Sequence, residues 1–265
     1  ANVEPVLGQL MDYRFPQGSL RGQSFGNLFL AALNGISDSF EEAVARMQQV
    51  LAITGRVLPV TDADVTLEAT FENGSWVVGE SKIFAFKKAQ NCRIKQVRLV
   101  SASGERPAAL PAVLEAIERA DLILVGPGSL YTSIILNLLV DGVTEAIRAA
   151  RGLVIYICNI MTQDGETEGY TAADHLGALL AHTAPDLVDL CLVNSSPVRP
   201  GLAENYRAQG AFPIAVDRQR VEAMGVELVE RPIAAEYGAY ARHSVEGLAA
   251  ALMELYGERA DTKVF

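Results

Sequence analysis

The chain has 265 residues, half of them hydrophobic and 20% charged, which excludes intrinsic disorder and fits one large or two small globular domains. Its 32 acidic against 22 basic residues give a formal charge of -10, so the averaged field repels phosphate backbones and anionic membrane surfaces, excluding generic nucleic-acid or membrane binding but not a small basic pocket for one anionic metabolite. Cys92, Cys158 and Cys191 are scattered, form no CxxC pair and point to a reducing, cytoplasmic setting.

In chain order, the sequence starts at Ala1 without a methionine or an opening strand, so an upstream segment is expected. After the Gly18 to Asn27 loop, Leu28 to Leu33 reads as helix. Asp38 and Glu41 resemble a capping-box pair ahead of a second helix with Phe40, Val44, Met47 and Leu51 on one face. Between Gly55 and Val100, β-branched and aromatic residues with turn signals at Thr61-Asp62 and Asn73-Gly74 predict a small antiparallel sheet.

Beyond it, strand and helix alternate. Leu122 to Val125, Leu153 to Cys158, Leu187 to Val193 and Pro213 to Val216 are apolar runs of strand length. Helical patterns lie near Pro107 to Arg119, Ser133 to Ala150, Thr171 to His182 and Pro200 to Gln209. That alternation predicts an α/β domain over residues 1–265, with a mostly parallel sheet, helices on both faces and 55–100 as a β-rich insertion. A last helix, capped by Ser244, presents Val245, Leu248, Ala249, Leu252 and Leu255. The uncharged stretch Leu122 to Val140 has the length of a bilayer span, but Gly126-Pro127-Gly128 and the polar residues after it break it into strand, turn and helix.

Ligands of open parallel sheets bind at the carboxyl ends of the strands, so the loops there are the candidates for function. The first, Gly126 to Ser133 (GPGSLYTS), lets a backbone approach closely and offers helix N-terminal amides and hydroxyls to a phosphate, or is a plain capped turn. The second, from Asn159 to His175, is long and rich in donors and acceptors, including Thr162, Asp164 and Glu166. Asn194-Ser195-Ser196-Pro197 ends another strand. Tyr206 can stack on a base or donate to a sugar, and Arg242 can bind phosphate bidentately, or both are ordinary surface residues. Ser24 and Asn27 sit in a further glycine-rich helix entry. No GxSxG, HExxH, Walker motif or Cys/His cluster occurs, and the three histidines lack ligand spacing, so a hydrolase or zinc enzyme has no support and no metal site is expected.

These segments resemble the YvcK/CofD-like family, and within it the YvcK-type gluconeogenesis factors. The matching stretches are FPQGSLRGQSFGNLFL (15–30), GRVLPV (55–60), ADLILVGPGSLYTS (120–133), ICNIMTQDGETEGYTAADH (157–175) and Arg242-His243-Ser244. The resemblance implies a Rossmann-like, CofD-like α/β domain that binds a nucleotide-sugar such as UDP-N-acetylglucosamine. It implies a regulatory, non-catalytic role linking gluconeogenic growth to cell-wall precursor supply and cell shape in the cytoplasm, without a required cofactor. A protein partner in amino-sugar metabolism and a homo-oligomer are compatible with it. The ligand set it suggests is Gly128, Ser129, Leu130, Asn159, Thr162, Asn194, Tyr206 and Arg242, with Ser24, Asn27, Asp164 and Glu166 as further candidates. The usual opening GGGTG and DDGGSSG segments are missing from this sequence. The competing branch is a phospho-group or nucleotidyl transferase, a CofD-like enzyme moving a phospholactyl group to a deazaflavin with magnesium; a nicotinamide dinucleotide is a more distant alternative.

Overall fold

The computed structural model describes residues 5–101 and 104–260. Residue contacts divide the chain into two compact units, Ala1–Ala63 with Ala109–Val113, and Asp64–Ala108 with Leu114–Phe265.

The first unit carries α1 (Pro5–Asp12), α2 (Phe25–Gly35) and α3 (Phe40–Val50). Ser24, in extended backbone, caps α2 by accepting from the Asn27 amide at 3.2 Å. The cap of α3 falls one residue later than the Asp38/Glu41 spacing suggests. Ser39 Oγ accepts from the Glu42 amide (3.1 Å), and the Glu42 carboxylate accepts from the Asp38 amide (2.8 Å). At the Thr61-Asp62 turn signal, Thr61 Oγ1 accepts from the Ala63 amide (3.2 Å), while Asp62 Oδ1 takes the Glu41 amide and so satisfies a donor of the first turn of α3.

The second unit begins with β1 (Val65–Phe71) and β2 (Trp76–Val78), joined through Asn73-Gly74 as the turn signal predicts. Then comes α4 (Glu80–Gln90), where the sequence pattern predicts sheet: the Phe and Ile content suggests strand, but Ile83 and Lys87, one helical turn apart, are its buried residues. β3 (Ile94–Ser101) completes a three-stranded antiparallel sheet in the order β2-β1-β3.

The remainder alternates. α5 (Pro111–Glu118) leads to β4 (Leu122–Val125), a wide π-type turn at Leu130–Ile135, α6 (Leu136–Leu138) and α7 (Val143–Ala149). The single helix expected over Ser133 to Ala150 is thus broken, where the Asp141 amide leaves the helix for the Pro107 carbonyl at 2.9 Å. β5 (Leu153–Ile157), α8 (Ala172–His182), β6 (Leu190–Asn194), α9 (Pro200–Arg207), α10 (Arg218–Glu222) and β7 (Glu227–Arg231) follow. A hairpin, β8 (Ala234–Tyr237) with β9 (Tyr240–His243), precedes α11 (Val245–Ala260).

Strands β4-β5-β6-β7 form one parallel sheet in that order. Every residue of β5 is buried, as a central parallel strand covered on both faces requires. Its Leu153, Ile155 and Ile157 share a core with Leu190, Leu192, Val229 and with Leu252 and Leu255 of α11. The fourth strand is not Pro213 to Val216. That run is extended, but it is bound to the loop after β5, through Thr162 N–H to Phe212 O (2.7 Å) and Ile214 N–H to Ile160 O (3.1 Å). The strand that takes this place, ELVER at the sheet edge, has only Leu228 and Val229 as apolar residues between charged ends, and so lacks the signature of a buried run. Ser244 does cap α11, accepting from the Gly247 amide at 3.0 Å. The packed stripe is Leu248, Ala251, Leu252 and Leu255; Val245 is 72% exposed and Ala249 also faces solvent, because spacing i, i+3, i+4, i+7 is set by the sheet below rather than by the first apolar residue.

Candidate functional site

At the carboxyl end of β4 the chain must turn sharply under β5. Gly126 does so at φ +96°, and a Cβ there would lie 3.1 Å from both the Ile157 carbonyl and Ile134 Cδ1, so glycine is required on both counts. The next amides divide into two sets. Those of Gly128, Ser129 and Leu130 have no internal hydrogen bond among the described residues. Those of Tyr131 and Thr132 both donate to Glu166 Oε1, at 2.8 and 3.0 Å. A carboxylate of the long second loop therefore occupies the start of the π-type turn, where the helix-end field favours an anion. The free donors are pushed one to three residues upstream.

Around those upstream residues lies a cavity of about 480 Å³, lined by Pro127, Gly128, Ser129, Asn159, Ile160, Met161, Gln163, Tyr206, Tyr240, Ala241, Arg242 and His243. Its lining contains no Asp or Glu, in a chain of formal charge -10. Arg242 is exposed and makes no ion pair among the described residues; its guanidinium instead lies over the Tyr240 ring, 5.2 Å from the centroid. Other arginines, Arg148, Arg218 and Arg220 among them, are bound to carboxylates. Ser129 Oγ donates to Gln163 Oε1 (2.9 Å), and Asn159 Nδ2 donates to the Gly128 carbonyl (3.0 Å), so the second loop braces the first. Asn159 Oδ1 is buried without a partner. His243 Nε2 lies 3.1 Å from the Cys158 carbonyl; a carbonyl only accepts, so this nitrogen carries the proton, and burial holds the imidazole below its usual pKa, hence neutral at pH 7. Burial likewise pushes the Cys158 thiol well above its ordinary value, which makes it a packing group rather than a nucleophile.

A backbone at the carboxyl ends of a parallel sheet, with this glycine loop and this hairpin, matches known proteins along most of its length. The family model of 2-phospho-L-lactate transferase CofD matches residues 1–234. The chain belongs to the CofD family. Within it, the chain is 40% identical over 259 residues to the gluconeogenesis factor of Bacillus subtilis, covering 97% of this chain and 80% of that protein. Its identity to the gluconeogenesis factor of Halalkalibacterium halodurans is also 40%, over 96% of this chain and 77% of the relative. A crystal structure of a UPF0052-family protein from Bacillus halodurans superposes with a TM-score of 0.88 at 39% identity, covering 95% of this chain and 79% of that one. These similarities place the chain in the YvcK-type gluconeogenesis-factor branch.

In this CofD-family chain, five of the residues singled out from sequence line one cavity: Gly128, Ser129, Asn159, Tyr206 and Arg242. Tyr206 takes an unanticipated role. Its hydroxyl accepts from the Ala241 amide at 3.0 Å and donates to the Ala241 carbonyl at 3.4 Å, so it holds the hairpin that carries Arg242. Asn194 is likewise occupied, with Oδ1 accepting from the Ser196 and Ala234 amides (3.1 Å each) and Nδ2 donating to the Ser196 carbonyl. It lines a smaller neighbouring cavity of about 110 Å³. Leu130 is buried, and Thr162 is buried with its hydroxyl accepting from the Phe212 amide at 2.8 Å. Asp164 pairs with Lys88 at 2.7 Å, and Ser24 and Asn27 belong to the first unit. Sequence reasoning missed Tyr240. The usable signal was Tyr237-Gly238-Ala239-Tyr240, a two-residue glycine turn between two tyrosines. No helix among the described residues is long and apolar enough to cross a membrane.

Proposed function

We propose that this cavity binds a nucleotide-sugar of the UDP-N-acetylglucosamine type, and that the protein uses it as a regulatory signal linking gluconeogenic growth to the supply of cell-wall precursors. One observation carries the reading: a cavity without carboxylates, in a strongly acidic chain, combines an arginine free of carboxylate partners with loop amides that have no internal partner among the described residues. A diphosphate satisfies that combination, with the amides taking its oxygens and the guanidinium supplying the positive charge the amides lack. The volume suits a ligand of this size. The gluconeogenesis-factor relatives support the regulatory context.

The family model's transferase description favours a second reading, phospho-group transfer from a nucleotide-activated donor. Magnesium, which that chemistry would use, does not fit this cavity: its lining offers no carboxylate, and no group of three metal-binding side chains occurs among the described residues.

Thermal unfolding with UDP-N-acetylglucosamine tests the proposal. At about 100 times its dissociation constant a ligand adds ~2.7 kcal/mol of apparent stability. Arg242→Ala should abolish most of that rise while leaving the ligand-free melting point nearly unchanged. An undiminished response in the variant would refute the assignment, and a response to GDP or deazaflavin alone would favour the transferase reading.

A further inference from the structure

A second cavity, of about 530 Å³, lies on the other side of Gln163. Four segments build it: α4 with Glu80, Ile83 and Phe84, β3 with Ile94, the first loop with Thr132, and the second loop with Glu166. Its chemistry is the reverse of the first. Two carboxylates, Glu80 and Glu166, stand in the lining and no lysine or arginine does. Of the three lysines of α4, Lys87 is paired with Glu168 at 2.6 Å and Lys88 with Asp164 at 2.7 Å, and Lys82 is not part of the lining.

Glu166 is the buried carboxylate of this lining. It is 3% exposed, its Oε1 serves the Tyr131 and Thr132 amides, and its Oε2 is buried with no hydrogen-bond partner. A buried carboxylate oxygen without a donor has lost its water and received nothing in exchange. The remaining wall, Ile83, Phe84 and Ile94, is apolar and offers an aromatic ring, which already has Lys88 Nζ 5.9 Å from its centroid. The chemistry that complements this oxygen is thus a donor bearing positive charge, attached to a body that tolerates hydrocarbon.

We infer that this cavity is a second binding site, for a small organic cation: an ammonium group on an apolar body, with Glu166 as its counter-ion, Glu80 as a second attracting charge and Phe84 as a cation–π and packing surface. The burial that pushes the Glu166 carboxyl above its usual range, helped by the nearby Glu80 charge and opposed by the Tyr131 and Thr132 amides and the Thr132 hydroxyl, is relieved when a cation arrives. The site is separate from the nucleotide-sugar cavity in charge and in lining, with Gln163 as the shared wall.

The test uses the intact protein and matched probes, benzylammonium against benzyl alcohol, and butylammonium against butanol, at constant ionic strength. The amines should raise the melting temperature saturably, benzylammonium more than butylammonium, and the alcohols should not. Glu166→Gln keeps an oxygen for the Tyr131 and Thr132 amides while removing the charge, and should weaken amine binding about tenfold or more. Should that variant unfold, Glu80→Lys puts a fixed cation at the exposed end of the wall, and should suppress amine binding while the response to UDP-N-acetylglucosamine persists. Arg242→Ala should do the converse, keeping the amine response. Equal amine responses in parent, Glu166→Gln and Glu80→Lys would reduce the effect to nonspecific ion binding and overturn the inference. So would competition between amine and UDP-N-acetylglucosamine for one site, or the absence of any amine response in the parent.

Discussion

Two cavities that share Gln163 in their linings have opposite charge. The first has no carboxylate and an arginine without a carboxylate partner; the second has two carboxylates and no cation in its wall. The net charge of -10 describes neither. Net charge governs what approaches the whole surface, whereas a cavity responds to the few groups within a Debye length or less of its centre. Glu166 is the pivot of the difference. By taking the Tyr131 and Thr132 amides it removes donors from the first turn, yet its side chain lines the second cavity and leaves the first cavity's lining free of carboxylates.

The largest expected effect comes from Gly165, which sits at φ +78° and where an added Cβ would lie 2.5 Å from the Phe84 ring. Gly165→Ala should destabilise the protein by about 2–5 kcal/mol, from overpacking plus backbone strain. Denaturant melts of Gly165→Ala with Phe84→Ala should recover the steric part and leave about 1 kcal/mol of backbone strain. No recovery would mean that α4 does not form the wall of the second cavity.

Next in size is a contrast between carboxylates at helix starts. Asp217 accepts from Thr171 Oγ1 (2.7 Å) and the Ala173 amide (2.9 Å) and pairs with Arg220. Burial raises its pKa, but these bonds prevail and hold it below the usual aspartate range. Its stabilisation is therefore present above the unfolded-state pKa and disappears as pH falls through the lowered folded value. Asp217→Asn should cost about 1–2 kcal/mol near neutral pH, and urea titrations should show the gap closing in acid.

Tyr206→Phe removes the hydroxyl that both accepts from and donates to Ala241. It should cost about 1 kcal/mol of stability and, by loosening the hairpin under Arg242, weaken UDP-N-acetylglucosamine severalfold in calorimetry. Unchanged affinity would remove the hairpin from the first cavity's mechanism.

The smallest effect is the most diagnostic. Burial raises the Glu166 carboxyl in the folded state, so its contribution has the opposite sign to that of Asp217. Stability associated with protonated Glu166 is fully present below the unfolded pKa and is lost as pH rises through the raised folded value. Relative to the parent, Glu166→Gln should therefore gain stability across the window above the ordinary glutamate pKa, as measured by urea melts at successive pH values. A gap that is flat with pH would show that the buried oxygen is not under strain from desolvation.

By itself the sequence determined what local chemistry can encode. The apolar runs 122–125 and 153–157 read as strands of a parallel sheet, the second of them wholly buried, and Ser24, Thr171 and Ser244 cap helices because a hydroxyl one residue before a helix finds an orphan amide within its own turn. The GPGSLYTS loop was legible as a tight turn from strand to helix for the same reason, and the matching stretches carried the family. Tertiary structure decided whatever depends on a distant partner. ELVER became an edge strand by pairing in parallel with β6, and Pro213 to Val216 was drawn to the loop after β5 instead. Tyr206 became a brace for Ala241 rather than a free ring, and Glu166 became the cap of a turn 35 residues upstream. Hydrogen-bond donors are satisfied by whichever acceptor the fold brings within about 3 Å, and sequence spacing carries no record of that choice.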